Sequence, residues 1–135
     1  MKIGFSLSRP FHPQILRLAA VMLFALAWSN LSCNHRNQSI ANSGEIHSAA
    51  AKGDLQKVKA LLKDNPELIV SADRGGQTPL HSAAFRGQKN VVKLLLAYKA
   101  NVNAKNNDGK TPLYYAVKEG NQHVAELLRQ HGGHE

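Results

Sequence analysis

From about residue 45 onward, apolar residues recur along the chain at the spacing of amphipathic helices. Residues 91–96 are mostly Val and Leu, and they form the broad apolar stripe of a helix that we predict from about Lys89 to Tyr98. A shorter helix is predicted just before it. Thr78 is a favourable N-cap, Pro79 suits the first helical position, and Gly87 can end the helix by adopting a positive φ. This part of the chain therefore predicts a helix, a tight turn and a second helix.

The same pattern occurs three times along the chain at a nearly constant period. Gly76–Leu80 recurs as Gly109–Leu113 at a shift of 33, and Ile46–Ala50 matches Leu80–Ala84 at a shift of 34. A fixed period of this length indicates a solenoid, in which each helical pair buries its apolar face against its neighbours. The sequence thus predicts an all-α solenoid of three helix-turn-helix repeats, at about 45–75, 76–108 and 109–133, with one residue inserted between the first two.

The second unit closely resembles the ankyrin repeat over its whole period. Residues 78–87 read TPLHSAAFRG, and residues 91–104 read VVKLLLAYKANVNA. The resemblance extends over about 45–133 and implies an ankyrin-repeat solenoid. The first repeat departs from the pattern because Gly44-Glu45 stands where Thr-Pro belongs, as expected of an N-terminal cap. The third has Tyr114 in place of His81, which puts in doubt the histidine bridge to a following repeat.

The resemblance implies a non-catalytic module that binds another protein through its turn tips and the exposed face of the first helix of each repeat. Two aromatic residues on that surface, Phe85 and Tyr115, are flanked by Arg and Lys, as is typical of interface anchors. The alternative is that Phe85 packs against a neighbouring repeat and Tyr115 covers an apolar seam. The surface carried over by position comprises Arg74, Gln77, Ser82, Phe85 and Arg86 in repeat two, and Asn107, Lys110, Tyr115, Lys118 and Glu119 in repeat three.

Residues 1–32 have the features of a secretory signal peptide. Basic residues precede a continuous apolar run, Leu18 to Trp28, and small residues follow it. The run is shorter than the roughly 20 residues that span a bilayer, so a signal anchor is the less favoured alternative. Residues 33–44 are polar and have little to bury, so we predict a flexible tether there.

Cys33 is the single cysteine, and its position resembles that of the lipid-attachment cysteine of bacterial lipoproteins. In that family the three preceding residues usually run Leu, a small residue, and then Gly, Ala or Ser. Here they are Asn30-Leu31-Ser32, of which Ser32 alone fits. The alternative is cleavage after Ala27, which would leave Cys33 as a free thiol. Both routes export the protein, and Cys33 is the predicted lipidation site.

Composition and motifs argue against other kinds of function. The formal net charge is +8, but the charges are scattered, which favours a solvated basic surface over a nucleic-acid site. We recognise no catalytic motif and predict neither enzymatic activity nor a cofactor. His131 and His134 form the only close histidine pair, on a terminus that we expect to fray, and no metal site is predicted. His47 and His81 occupy the usual histidine position of the repeat and are expected to be structural.

Taken together, these features predict an exported monomer that binds a protein of the cell envelope, either in the periplasm or anchored to a membrane. Two alternatives remain open at this point. The protein could be a secreted effector that binds a host protein, or an accessory factor that supports a periplasmic stress-protection enzyme. The repeats serve all three equally, because a fold sets a mode of binding and not its target.

Overall fold

The computed structural model describes residues 42–135, and all regular structure in that range is helical. The predicted signal peptide, the predicted lipidation site at Cys33 and the predicted tether up to residue 41 lie outside the described residues. None of the helices within residues 42–135 has the length and apolar content needed to cross a bilayer.

The helices form three helix-turn-helix units, as the sequence predicts. Within the units, α3 packs against α4 and α5 against α6. Between units, α3 packs against α5, while α2 contacts α4 and α4 contacts α6, so inner and outer helices form two layers. The helices are α1 over residues 42–52, α2 at Leu55–Asp64, a short 3-10 helix at Pro66–Val70, α3 at Pro79–Phe85, α4 at Lys89–Ala97, α5 at Pro112–Lys118 and α6 at Gln122–Gln130.

Helix α1 already includes residues 42–44, which the sequence analysis assigned to the tether. Nδ1 of the His47 ring lies 2.6 Å from the carbonyl oxygen of Ser43, one helical turn earlier. Asn42 and Ser43 are half-buried rather than fully exposed. The predicted boundary at Glu45 was therefore a few residues late, because the missing Thr-Pro start does not prevent the helix from beginning earlier.

The residue inserted between repeats one and two is absorbed by the 3-10 helix at Pro66–Val70, which the sequence did not predict. Asn65 begins it by accepting a hydrogen bond from the amide of Glu67, at 3.2 Å. Leu68 from this helix is buried in the core, with 3% of its surface exposed. At the same point of repeat two, Lys99 adopts a left-handed conformation (φ 63°) and no 3-10 helix forms.

The core consists of Leu, Val, Ile and Ala side chains that recur once per repeat. Val91, Val92 and Leu95 are buried, whereas Leu94 and Leu96 are only partly buried, which narrows the stripe predicted for α4. Ala83 and Ala84 are fully buried on α3 and allow close approach of the neighbouring helices. Burying a Leu or Val side chain stabilises the fold by about 1.5–3 kcal/mol. The largest fully buried aliphatic side chains are Ile46, Leu62, Leu80, Leu95 and Leu128.

Side-chain amides connect each repeat to the one before it. Gln88 Nε2 donates a hydrogen bond to the carbonyl of Ala51 at 3.1 Å. One repeat later, Asn121 Nδ2 donates to the carbonyls of Ala84 and Phe85, at 2.9 and 3.0 Å. These acceptors are carbonyls near helix C-termini, which lack partners within their own helix. The amides therefore satisfy acceptors at helix ends and join consecutive repeats.

The C-terminal residues are held in place, so the predicted fraying of this terminus was wrong. The amide of His134 donates to Asn103 Oδ1 at 3.0 Å, and the carbonyl of His134 accepts from the hydroxyl of Thr111 at 2.9 Å. Asn103 Nδ2 in turn donates to the carbonyl of Gly132 at 3.0 Å. The tail turns after α6 as the chain turns after α4, because Gly132 and Lys99 both have positive φ (83° and 63°) and lie 33 positions apart.

Candidate functional site

The extended segments between the repeats project as hairpin-like fingers, and one Asp or Asn side chain closes each finger. Asp73 Oδ1 accepts hydrogen bonds from the amides of Gly75 and Gln77, at 2.8 and 2.9 Å. In the next finger, Asn106 Oδ1 accepts in the same way from the amides two and four residues later, at 3.0 and 2.9 Å. Short polar side chains of this type commonly stabilise turns by binding the backbone. Sequence reasoning overlooked both residues, although they occur 33 positions apart, in register with the repeat.

His81 connects the start of α3 to the second finger. Its ring is fully buried, and Nδ1 accepts a hydrogen bond from the amide of Thr78 at 3.1 Å. The proton of the neutral ring therefore resides on Nε2, which donates to the carbonyl of Lys110 at 3.0 Å. Burial lowers the pKa of His81, while the hydrogen bond to the Lys110 carbonyl opposes that shift. His47 makes the corresponding contact one repeat earlier, with Nε2 2.8 Å from the carbonyl of Gln77. Both histidines are therefore structural, as predicted.

An open cleft of about 220 Å³ lies between the first finger and helices α3 and α5. It brings together half of the contact residues predicted from the sequence, while Ala51 and Asp73 complete its wall. The cleft thus draws on all three repeats. We call its five predicted residues the cleft face: Gln77, Ser82, Phe85, Arg86 and Tyr115.

Phe85 and Tyr115 form the apolar part of the cleft face. Their ring centroids are 6.0 Å apart in an edge-to-face arrangement, and the ring of Tyr115 also meets those of His81 and Tyr114, at 6.0 and 5.6 Å. The hydroxyl of Tyr115 accepts a hydrogen bond from Asn106 Nδ2 at 2.9 Å. Tyr115 therefore covers the seam between repeats, while Phe85 packs beside it and keeps 36% of its surface exposed. Large exposed aromatic area at the centre of a cleft is typical of interface anchors.

The cations around the cleft lie over aromatic rings. Arg86 Cζ is 5.4 Å from the ring centroid of Phe85, and Lys110 Nζ is 4.2 Å from that of Tyr114. Lys118 Nζ approaches the same Tyr114 ring at 6.0 Å. Among residues 42–135, the single ion pair joins Lys57 to Glu45 at 3.4 Å, away from the cleft face. These three cations are therefore not neutralised by a carboxylate of the described chain.

The remaining predicted contact residues do not line the cleft. Arg74 is exposed at the first finger, and Lys118 and Glu119 are exposed at the end of α5. Asn107 has a structural role, because its side chain donates to the carbonyl of Arg74 at 3.2 Å and thereby joins the two fingers. The sequence pattern could not separate these positions, since all of them are polar and occur at finger or helix-end positions of the repeat.

A family model described as ankyrin repeats (3 copies) matches residues 46–135. The chain belongs to the ankyrin-repeat family. Ankyrin repeats are protein–protein interaction modules that typically carry no catalytic site, so this chain contains a protein-binding module. Within residues 42–135, His, Cys, Asp and Glu side chains do not gather into groups of three or more that could hold a metal ion.

Relatives of this ankyrin-repeat chain are much longer proteins. It is 46% identical over 66 residues to a probable E3 ubiquitin-protein ligase of Oryza sativa subsp. japonica, covering 47% of this chain and 13% of that protein. It is 40% identical over 84 residues to the serine/threonine-protein kinase VIK of Arabidopsis thaliana, covering 62% and 19%. It is 38% identical over 61 residues to the ankyrin repeat domain-containing protein 13C of Homo sapiens, covering 45% and 11%. The chain therefore spans less than a fifth of the length of each.

Proposed function

We propose that this chain is an exported, bacterial-type ankyrin-repeat protein, anchored by a lipid at Cys33, whose cleft face binds a protein of the cell envelope. The observation that carries the binding part is the cleft itself, where Phe85 stays exposed between two repeats beside unpaired cations. The apolar leader and the position of Cys33 support export and anchoring. The protein acts by binding and has no catalytic role of its own.

The binding part is tested by capture from envelope preparations with matched variants of the cleft face. Phe85→Ala removes the exposed ring, and Tyr98→Ala is the control, because Tyr98 is equally exposed (39%, against 36% for Phe85) but lies at the end of α4, outside the cleft. We expect a crosslinked envelope protein with the wild-type chain and with Tyr98→Ala, and its loss with Phe85→Ala. Ser82→Arg provides a second variant, which fills the cleft without removing a buried contact.

Unchanged far-UV circular dichroism must accompany the loss of capture, since unfolding would abolish binding for a different reason. Retention of the same partner by both Phe85→Ala and Ser82→Arg would place the binding surface elsewhere on the molecule. Loss of capture by Tyr98→Ala as well would point to a general loss of stability rather than to a contact in the cleft.

The anchoring part is tested by fractionation of cells that express Cys33→Ala. We expect this variant to move from the membrane fraction to the soluble fraction, while the wild-type chain stays with the membrane. Mass spectrometry of the mature N-terminus distinguishes a lipidated Cys33 from cleavage after Ala27. A mature protein found in the culture supernatant would contradict envelope anchoring and favour the secreted effector. Loss of oxidant resistance on gene deletion would favour the stress-protection accessory.

A further inference from the structure

Three aromatic rings of helices α3 and α5 follow one another, with cations at both ends. Phe85 and Tyr115 are 6.0 Å apart, and Tyr115 and Tyr114 are 5.6 Å apart, by ring centroid. Arg86 lies over the first ring, and Lys110 and Lys118 converge on the last. We call this arrangement the aromatic strip: Arg86, Phe85, Tyr115, Tyr114, Lys110 and Lys118.

The spacing of the strip fits an extended polypeptide. Side chains on one face of an extended chain repeat every two residues, or about 6.6 Å. The rings of the strip are separated by 5.6 and 6.0 Å, which is close to that repeat. A segment lying along the strip can therefore place one side chain into the cleft that Phe85 and Tyr115 line and direct its neighbours on the same face toward the two cationic ends.

The charges of the strip favour carboxylates on that segment. The two lysine ammonium groups both approach the Tyr114 ring, and no carboxylate within residues 42–135 lies within ion-pair distance of either of them or of Arg86. A carboxylate near the Tyr114 ring would be attracted by both ammonium groups. Exposed cation–π contacts are weak compared with charge-assisted hydrogen bonds to a carboxylate, so the rings do not compete strongly with an acidic partner.

We propose that the aromatic strip binds an extended acidic segment of the partner protein, in which an apolar residue is flanked two positions away on each side by Asp or Glu. This rests on the proposed function and specifies the chemistry of what the cleft face recognises. The apolar residue enters the cleft and packs against the contacting rings of Phe85 and Tyr115. One acid pairs with Arg86, and the other lies between Lys110 and Lys118.

A nucleic acid fits this surface less well. A phosphate backbone requires a continuous track of cations. Here Asp73 lines the cleft, and Glu119 follows Lys118 directly, so carboxylates interrupt the positive charge along the strip. One oxygen of the Asp73 carboxylate accepts hydrogen bonds from two backbone amides, which hold this acid on the first finger. An occupant with separate charges on either side of an apolar group avoids this acid.

The test uses the full chain, a displayed library of random peptides and labelled peptides made from the selected sequences. We expect enrichment of a five-residue pattern in which Asp or Glu occupies the first and fifth positions, an apolar residue occupies the third, and the second and fourth are unrestricted. The control peptide has the same sequence with Gln for Glu and Asn for Asp. At about 50 mM salt, fluorescence anisotropy should show the selected peptide binding about tenfold more tightly than this control. At about 500 mM salt the difference in affinity should shrink.

Variants in which a cation of the aromatic strip is replaced by neutral Gln show which cations contact the acidic residues of the peptide. Arg86→Gln and the pair Lys110→Gln/Lys118→Gln should each remove at least about threefold of that difference in affinity. The pair Lys59→Gln/Lys93→Gln is the control, because it removes the same charge from exposed positions on outer helices α2 and α4. This control should bind the acidic peptide as the wild-type chain does.

The outcomes separate this inference from the proposed function. Selected peptides that need Phe85 but are neutral or basic would overturn the acidic segment and leave the cleft face as the binding site. Peptides whose binding is unaffected by Phe85→Ala would overturn both. A library without any enriched peptide would overturn the extended acidic segment alone, because capture of an envelope protein tests the cleft face separately. Displacement of the bound acidic peptide by a labelled DNA duplex, through Lys110 and Lys118, would assign the strip to nucleic acid instead.

Discussion

His81 provides the sharpest test of how the repeats are held together. We expect His81→Leu to lower the free energy of unfolding by about 1–3 kcal/mol, because the amide of Thr78 loses its acceptor. The carbonyl of Lys110 loses the imidazole but keeps the hydrogen bond from the amide of Asn106, at 3.1 Å. An unsatisfied amide costs about 1–3 kcal/mol where water cannot reach it, and Thr78 is only half-buried, which limits this cost. A domain of this kind is stabilised by about 5–15 kcal/mol in total, so the loss is large.

Because the pKa of His81 is shifted in the folded state, the stabilisation that His81 provides depends on pH. Because burial lowers the pKa in the folded state, the unfolded chain takes up a proton first as the pH falls. The contribution of His81 is therefore fully present above the ordinary value of 6.5 and is lost as the pH falls through the folded-state pKa. Protonation of Nδ1 also removes the acceptor that the Thr78 amide uses. Acidification should thus destabilise the wild-type chain.

Urea denaturation followed by circular dichroism, at about pH 7.5 and about pH 5.5, measures both effects. We expect the His81→Leu variant to have a lower midpoint at neutral pH and to lose less stability than the wild-type chain on acidification. His123→Leu is the control, because His123 is exposed on α6 and should change the midpoint little. A His81→Leu stability within about 0.5 kcal/mol of wild type would refute the view that this imidazole joins the repeats.

Three further perturbations probe the packing. Gly87→Ala should destabilise the chain more than Gly120→Ala. Both glycines have positive φ (69° and 73°), so both substitutions strain the backbone. A Cβ at Gly87 would also meet Asn121 Oδ1 at 2.6 Å, whereas a Cβ at Gly120 would have nothing within 4 Å. Gly120→Ala should cost about 1 kcal/mol and Gly87→Ala at least about 1 kcal/mol more, by thermal denaturation. Leu95→Ala should cost about 2–5 kcal/mol in urea, since Leu95 is fully buried in the middle repeat. Deleting residues 132–135 should increase amide hydrogen exchange near Thr111, which loses its hydrogen bond to the tail.

The fold was predictable because its signals are local and repeated. The nearly constant repeat period, the Thr-Pro helix starts and the apolar stripe of α4 each depend on short sequence patterns, and the structure confirms the three helical units. The start of α1, the 3-10 helix at Pro66–Val70 and the ordered C-terminal residues were missed. In each case the outcome depends on partners from another part of the chain, such as Asn103 for His134, which local pattern does not reveal.

The candidate site was predictable in part. Its positions came from the resemblance to the ankyrin repeat, which specifies which residues of each unit point away from the core. Which of them share one cleft depends on how the repeats stack, and stacking is set by long-range contacts. Asn107 illustrates the limit: it occupies a finger position, yet its side chain is used to join the fingers. Conversely, Asp73 lines the cleft, although its clearest role is to close the first finger.

One position of the repeat shows how stacking and recognition are connected. Asp54, Gln88 and Asn121 are equivalent, but the Asp54 carboxylate accepts the Lys57 amide of its own helix, whereas the two amides donate to carbonyls of the preceding repeat. A carboxylate cannot donate to a carbonyl. The amide side chains therefore stand where carbonyls of a preceding repeat face them, and the carboxylate stands where its partner is an amide of its own helix. Phe85 belongs to repeat two and Tyr115 to repeat three, and the Asn121 amide helps to set their relative position. Asn121→Ala should therefore weaken binding at the cleft face without touching the partner, and Asp54→Ala should weaken only the start of α2.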